Sequence, residues 1–117
     1  MANIVREKSF AFAVRLIRAV RGLRPQRLGI LATQLVRSGT AIGALIREAE
    51  YAESRADFVH KLSIALKEAN ETIYWLELCR ESQTLEPVMF RKLHGEAVEL
   101  LKLLVAITRT AKSRPRR

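Results

Sequence analysis

The sequence predicts an all-α protein folded as an antiparallel up-down-up-down four-helix bundle. Three observations carry this. Apolar residues recur at steps of three and four through four separate stretches. Five Gly and three Pro are few for 117 residues, and no β-branched run is bounded by turn dipeptides. The breaks between the stretches are short, which makes sequential helices antiparallel neighbours. The length fits one compact domain, placed at residues 1–111, followed by a basic tail at 112–117. Hydrophobic content of 49% against 6% aromatic makes the core chiefly aliphatic.

The first helix is expected from about Asn3 to Gly22. Phe10, Ala13, Val14, Ile17 and Val20 form its inward stripe, and Phe12, Leu16 and Leu23 widen it. Arg15 and Arg18 are left for solvent. Gly22 suits a C-terminal cap, and Pro25 cannot continue the hydrogen-bond ladder. Arg18, Arg21, Arg24 and Arg27 follow one another with no acid near them in sequence. Cations at a helix C-terminus answer its dipole, and the same cluster offers a patch for an anion.

The second helix is expected from Gln26 or Arg27 to Tyr51, with Leu28, Leu31, Leu35, Ile42, Ile46 and Ala49 as its stripe. Ala32, Gly39 and Gly43 share one flank. Each glycine inside a helix costs about 1 kcal/mol relative to Ala, so a neighbouring helix should approach closely there. A phosphate loop is excluded: Gly39 to Gly43 does not match the motif, no strand precedes it and no Lys follows.

The third helix begins beyond the short Ala52–Ser54 link, with Ser54 as N-cap and Asp57 three residues on. Phe58, Leu62, Ala65, Leu66, Ala69, Ile73 and Leu76 make its core stripe. His60, Ile64, Trp75 and Leu78 fall on the other side, beside Lys67 and Glu71. Apolar residues and the single Trp on an outward face suggest a second buried surface, hence self-association through these four residues.

A break at Glu81–Glu86 precedes the fourth helix, which Pro87 opens. Phe90, Leu93, Ala97, Leu100, Leu104, Ile107 and Ala111 alternate steps of three and four. Gly95 weakens the helix locally. The tail carries Lys112, Arg114, Arg116 and Arg117 with no apolar residue, and is expected to be mobile and able to touch phosphates.

The net charge of +9 is uneven. Residues 1–54 hold nine cationic against four acidic side chains, residues 55–86 four against six, and residues 87–117 eight against two. The up-down topology gathers Arg21, Arg24, Arg27, Arg91 and Lys92 at one end. It gathers Arg6, Lys8, Arg109, Lys112 and the tail at the other. Nucleic acid is the first partner such a distribution suggests. One cysteine, Cys79, closes no internal disulfide. No signal peptide and no membrane span is expected, and the protein is read as cytoplasmic.

No catalytic residue, metal site or cofactor is expected. Asp57 and His60 imitate half of a di-iron spacing, but such a site needs two motifs and inward carboxylates from further helices. Cys79 has no nearby His in sequence, and Ser38 and Thr40 sit mid-helix among small residues.

Val36 to Ala49 and Ser54 to Leu78 carry a resemblance. They are similar to the four-helix-bundle proteins named after reading frames in 23S rRNA intervening sequences. The matching positions are Arg37, Ser38, Ile42, Glu48, Ala49, Ser54, Asp57, Phe58, Leu62, Ile64, Ala65, Glu68, Glu71, Leu76 and Glu77. The first and last helices agree in pattern only. The run Glu48-Ala49-Glu50 departs from the Ala-Glu-Gly of many members. The resemblance implies an up-down bundle, a ring-shaped homopentamer, and kinship with the accessory variability proteins of diversity-generating retroelements. Those bind nucleic acid and a reverse transcriptase.

The resulting expectation is a non-enzymatic, oligomeric protein that contacts nucleic-acid phosphates through Arg15, Arg18, Arg21, Arg24, Arg27, Arg91, Lys92, Lys112, Arg114, Arg116 and Arg117. The alternative is a scaffold for another protein, such as a reverse transcriptase, with the charge used for docking.

Overall fold

The computed structural model describes residues 2–23 and 29–113. Four helices account for them: α1 Ala2–Arg21, α2 Gly29–Glu50, α3 Arg55–Glu81 and α4 Pro87–Ser113. No strand occurs among the described residues. Arg24, Arg27, Arg114, Arg116 and Arg117 lie outside them, as does the expected start of the second helix at Gln26 or Arg27.

Each helix packs on two others. α2 contacts α1 and α3, and α4 contacts α3 and α1, with no diagonal contact. The result is a rod of 54 × 20 × 19 Å. Across α1 and α2, Arg6 pairs with Glu50, Ser9 faces Gly43, and Leu16 faces Gly39. Across α2 and α3, Glu48 pairs with Lys61, and Ser38 meets Thr72. Across α3 and α4, Glu77 pairs with His94, and Arg80 covers Phe90. Residue numbers fall along one helix as they rise along its neighbour.

The helix ends follow from local chemistry. Ser54 is extended, and its hydroxyl accepts the Asp57 N–H at 3.0 Å, while the Asp57 carboxylate accepts the Glu53 N–H at 3.1 Å. These bonds satisfy donors that a helix start leaves open. α3 ends with Gln83 at φ 56°, Gln83 N–H on Arg80 C=O and Thr84 N–H on Cys79 C=O. That is a Schellman ending without glycine. α1 ends at Gly22 as expected, but without the left-handed turn seen after α3: no described glycine has positive φ, and the Gly22 N–H is shared between the Arg18 and Ala19 carbonyls.

The glycines of α2 do what their cost requires. A Cβ at Gly39 would overlap Leu16 Cδ2, and one at Gly43 would lie 3.3 Å from Ser9 Oγ. α1 therefore sits tight against α2 at two successive turns. By length and composition alone α2 could cross a membrane. Here Leu35, Ile42 and Ile46 belong to the core that α1 and α3 share.

One expected stripe is corrected. α1 buries Val5, Ser9, Phe12 and Leu16, whereas Phe10 and Ile17 are 58% and 45% exposed. Ser9 is the reason. It is small enough to face Gly43, and its hydroxyl is satisfied by the Arg6 carbonyl at 2.9 Å. A polar residue thus stands mid-stripe and rotates the helix by about one residue step from the purely hydrophobic reading.

α3 is rotated too, because Thr72 and Cys79 join Leu62, Ala65, Ala69 and Leu76 in the core. Phe58, Leu66 and Ile73 pack against that core from partly buried positions. In α4 the expected residues Phe90, Leu93, Ala97, Leu100, Leu104 and Ala111 are buried, and Thr108 joins them while Ile107 stays at the margin.

Candidate nucleic-acid interface

The charges divide into two populations. Along the seams they are paired. Arg37 of α2 reaches both Glu68 and Glu71 of α3, and Lys61 meets Glu48 at 2.9 Å. Trp75 Nε1 donates to Glu71 at 2.8 Å. The Trp75 indole, then Arg37, hold the Glu71 carboxyl below the usual carboxylate range against the opposing effect of burial. Glu71 in turn holds the Arg37 guanidinium above its ordinary value. On the other side of the bundle Arg15 donates to Glu96, with an ion-pair distance of 2.8 Å, and Lys8 meets Glu99 at 3.2 Å.

Where α1 ends and α4 begins, four cations are unpaired among the described residues. Arg18 and Arg21 in the last turns of α1, and Arg91 and Lys92 in the first turns of α4, are exposed and have no ion pair among the described residues. Leu23 and Arg91 line one cleft together with Arg80 and Phe90. The Arg80 guanidinium lies 4.9 Å from the Phe90 ring centroid, and the His94 ring is tilted against Phe90 with centroids 5.0 Å apart. The first turn of α4 contains no acidic residue, so its dipole adds to the positive potential there. Glu86 offsets part of it by accepting the Val88 N–H at 3.1 Å.

The expected phosphate-contacting residues therefore separate. Arg18, Arg21, Arg91 and Lys92 share the exposed end. Arg15 is drawn away by Glu96, and Lys112 stands at the far end of α4. The opposite pole is weaker than topology alone suggests, since Arg6 and Lys8 are engaged by Glu50 and Glu99. Sequence spacing does not reveal these pairings, because each joins residues on different helices.

The four expected interface residues also separate. His60 is exposed, but Ile64, Trp75 and Leu78 are half-buried, and Trp75 packs against the core at the α2–α3 seam. The rotation of α3 by Thr72 and Cys79 moves the indole toward α2. The large apolar residues left open are elsewhere: Ile4, Phe10 and Ile17 on α1, Ile30 on α2, Tyr51 just beyond it, Tyr74 on α3 and Val88 on α4. Arg47 lies over the Phe10 ring at 5.6 Å and shields it only in part.

Among the described residues no three His, Cys, Asp or Glu side chains stand together as a metal cluster would require. Cys79 is buried, and burial pushes its thiol pKa up, away from the thiolate form a nucleophile needs.

Fold and site together define an all-α, strongly basic four-helix protein that pairs charges along its seams and leaves four exposed cations without an ion pair, among the described residues, where α1 ends and α4 begins. The chain belongs to the 23S rRNA-intervening sequence protein family, whose model matches residues 1–106. It is similar to a crystal structure of a protein of unknown function from the S23 ribosomal protein family of Bacteroides thetaiotaomicron VPI-5482. The two share 46% sequence identity with a TM-score of 0.88, over 92% of this chain and 97% of that one. No curated protein matches the chain.

Proposed function

We propose that this chain is a non-enzymatic, oligomeric, nucleic-acid-associated protein that binds phosphates through the ends of an antiparallel up-down-up-down bundle. The observation that carries the reading is the set of cations Arg18, Arg21, Arg91 and Lys92, exposed at one end without an ion pair among the described residues, whereas Arg15, Arg37 and Lys61 are paired along the seams. No base-reading motif accompanies them, so recognition is of the backbone and only weakly sequence-specific. The opposite course of residue numbers along each seam supports the antiparallel arrangement.

Assembly into a ring-shaped homo-oligomer, with five subunits as the family resemblance implies, is part of the same proposal. The exposed Phe10 and Ile17 support burial against another copy, since a lone bundle leaves them in water. Those two residues equally favour the second reading, a scaffold that docks another protein on an apolar patch.

Light scattering of the purified chain, alone and with a short mixed-sequence oligonucleotide, tests the proposal. The expected result is a species several subunits in mass that gains the mass of the oligonucleotide at about 50 mM salt and loses it by about 200 mM. A monomer that never binds the oligonucleotide refutes it.

A further inference from the structure

A second place in the molecule has the chemistry for a phosphate group. The groove between α3 and the last turns of α4 is lined by Leu66, Val105, Thr108, Arg109, Lys112 and Ser113. Thr108 is only 5% exposed, and its Oγ1 has no hydrogen-bond partner among the described residues. A buried hydroxyl without a partner is unusual. It is more so here, because this chain elsewhere uses the ordinary solution. Thr40 donates to the Val36 carbonyl at 2.7 Å, and Thr72 to the Glu68 carbonyl at 2.8 Å.

The cations beside Thr108 are likewise uncommitted. Arg109 and Lys112 are exposed, and neither has an ion pair among the described residues. The nearest acids of α4 in sequence, Glu96 and Glu99, are held by Arg15 and Lys8. On the α3 side the groove presents Leu66, and Val59 and Ser63 share that flank by helical spacing, so no carboxylate opposes an anion there. Asp57, two residues before Val59, turns its carboxylate to the Glu53 N–H.

We infer that this groove seats a phosphate group, with Thr108 donating its hydroxyl from the floor and Arg109 and Lys112 supplying charge-assisted donors at the mouth. Thr108 Oγ1 is itself buried, so its side chain must move to another staggered χ1 well when phosphate binds. The guanidinium suits two phosphate oxygens and the ammonium a third. Arg109 and Lys112 also answer the negative end of the α4 dipole. Thr108 has no part in that role, so it is the discriminating position. The inference deepens the nucleic-acid reading, on which it rests for a phosphodiester as the source; free phosphate has the same chemistry.

The test uses the full chain and two probes, inorganic phosphate followed by backbone amide shifts and a mixed-sequence oligonucleotide followed by fluorescence anisotropy. Thr108→Val keeps the shape and removes the hydroxyl, and Thr108→Ser restores it. The expected result is a saturable phosphate response at Thr108, Arg109 and Lys112. Affinity for whichever probe binds falls about tenfold in Thr108→Val and recovers in Thr108→Ser. Should Thr108→Val fail to fold, Arg109→Gln with Lys112→Gln, both on the surface, must abolish the same response. A phosphate response without oligonucleotide binding supports the seat and defeats only the nucleic-acid reading. Equal affinities of wild type and Thr108→Val for the probe that binds overturn the inference, as does the lack of a response to both probes.

Discussion

The α2–α3 seam and the end built from the α1 C-terminus and the α4 N-terminus handle charge in opposite ways. At the seam, Arg37 is held between Glu68 and Glu71, Glu71 also takes the Trp75 indole N–H, and beneath them Thr72 meets Ser38 at 2.9 Å inside the core. At the end, Arg18, Arg21, Arg91 and Lys92 stand in solvent without an ion pair among the described residues. Exposed ion pairs contribute little to stability, so the seam's network chiefly fixes register and removes net charge. Unpaired like charges are mildly unfavourable for folding, and in the proposed function they attract something negative. The contrast teaches that net charge is a poor guide to a binding surface until the paired cations have been subtracted.

The packing beneath both regions can be broken most severely at Gly39. Gly39→Val drives a side chain into Leu16 and is expected to cost about 3 kcal/mol, read as a lower denaturation midpoint. An unchanged midpoint would mean that α1 does not sit where it is described. A smaller effect separates the two charge populations. Arg18→Ala with Arg21→Ala should weaken oligonucleotide binding about tenfold, whereas Arg37→Ala should leave it within about twofold, since Arg37 is already committed to Glu68 and Glu71. Comparable losses would erase the distinction.

Gly95→Ala should stabilise by about 1 kcal/mol, because a Cβ there meets nothing within 4 Å. A loss of stability in a melting experiment would show that another surface uses that space. The smallest effect belongs to Trp75→Phe, which removes the donor to Glu71. The depressed carboxyl stabilises the fold above its unfolded pKa, and that contribution vanishes as pH falls through the folded value. The variant should therefore be less stable than wild type by under about 1 kcal/mol at neutral pH. Comparing melting at neutral and strongly acid pH should show the part due to Glu71 disappear; a difference independent of pH would assign it all to packing.

Much of the seam was legible in the sequence. Ser54 and Asp57 mark the start of α3 and the Leu62–Leu76 spacing marks its core side, while Gly39 and Gly43 announce the close approach of α1 on the other flank of α2. The rotation of α1 was not, because apolar residues surround much of that helix and the deciding residue, Ser9, is polar. Trp75 was placed too far outward for a related reason: Thr72 and Cys79, neither strongly hydrophobic, shift the core of α3 toward it. The pairing that removes Arg15 from the candidate interface joins residues 81 apart in sequence, and no local pattern encodes it.

The claim that the ends, and not the seams, meet phosphates is tested most directly by the salt dependence of oligonucleotide affinity. The account predicts a steep fall between about 50 and 200 mM salt in the wild type. It predicts a slope of log affinity against log salt shallower by about 0.7 to 0.9 for each contacting cation removed among Arg18, Arg21, Arg91 and Lys92, and no change for Arg15→Ala. A salt-independent affinity, or the same slope in every variant, would contradict it.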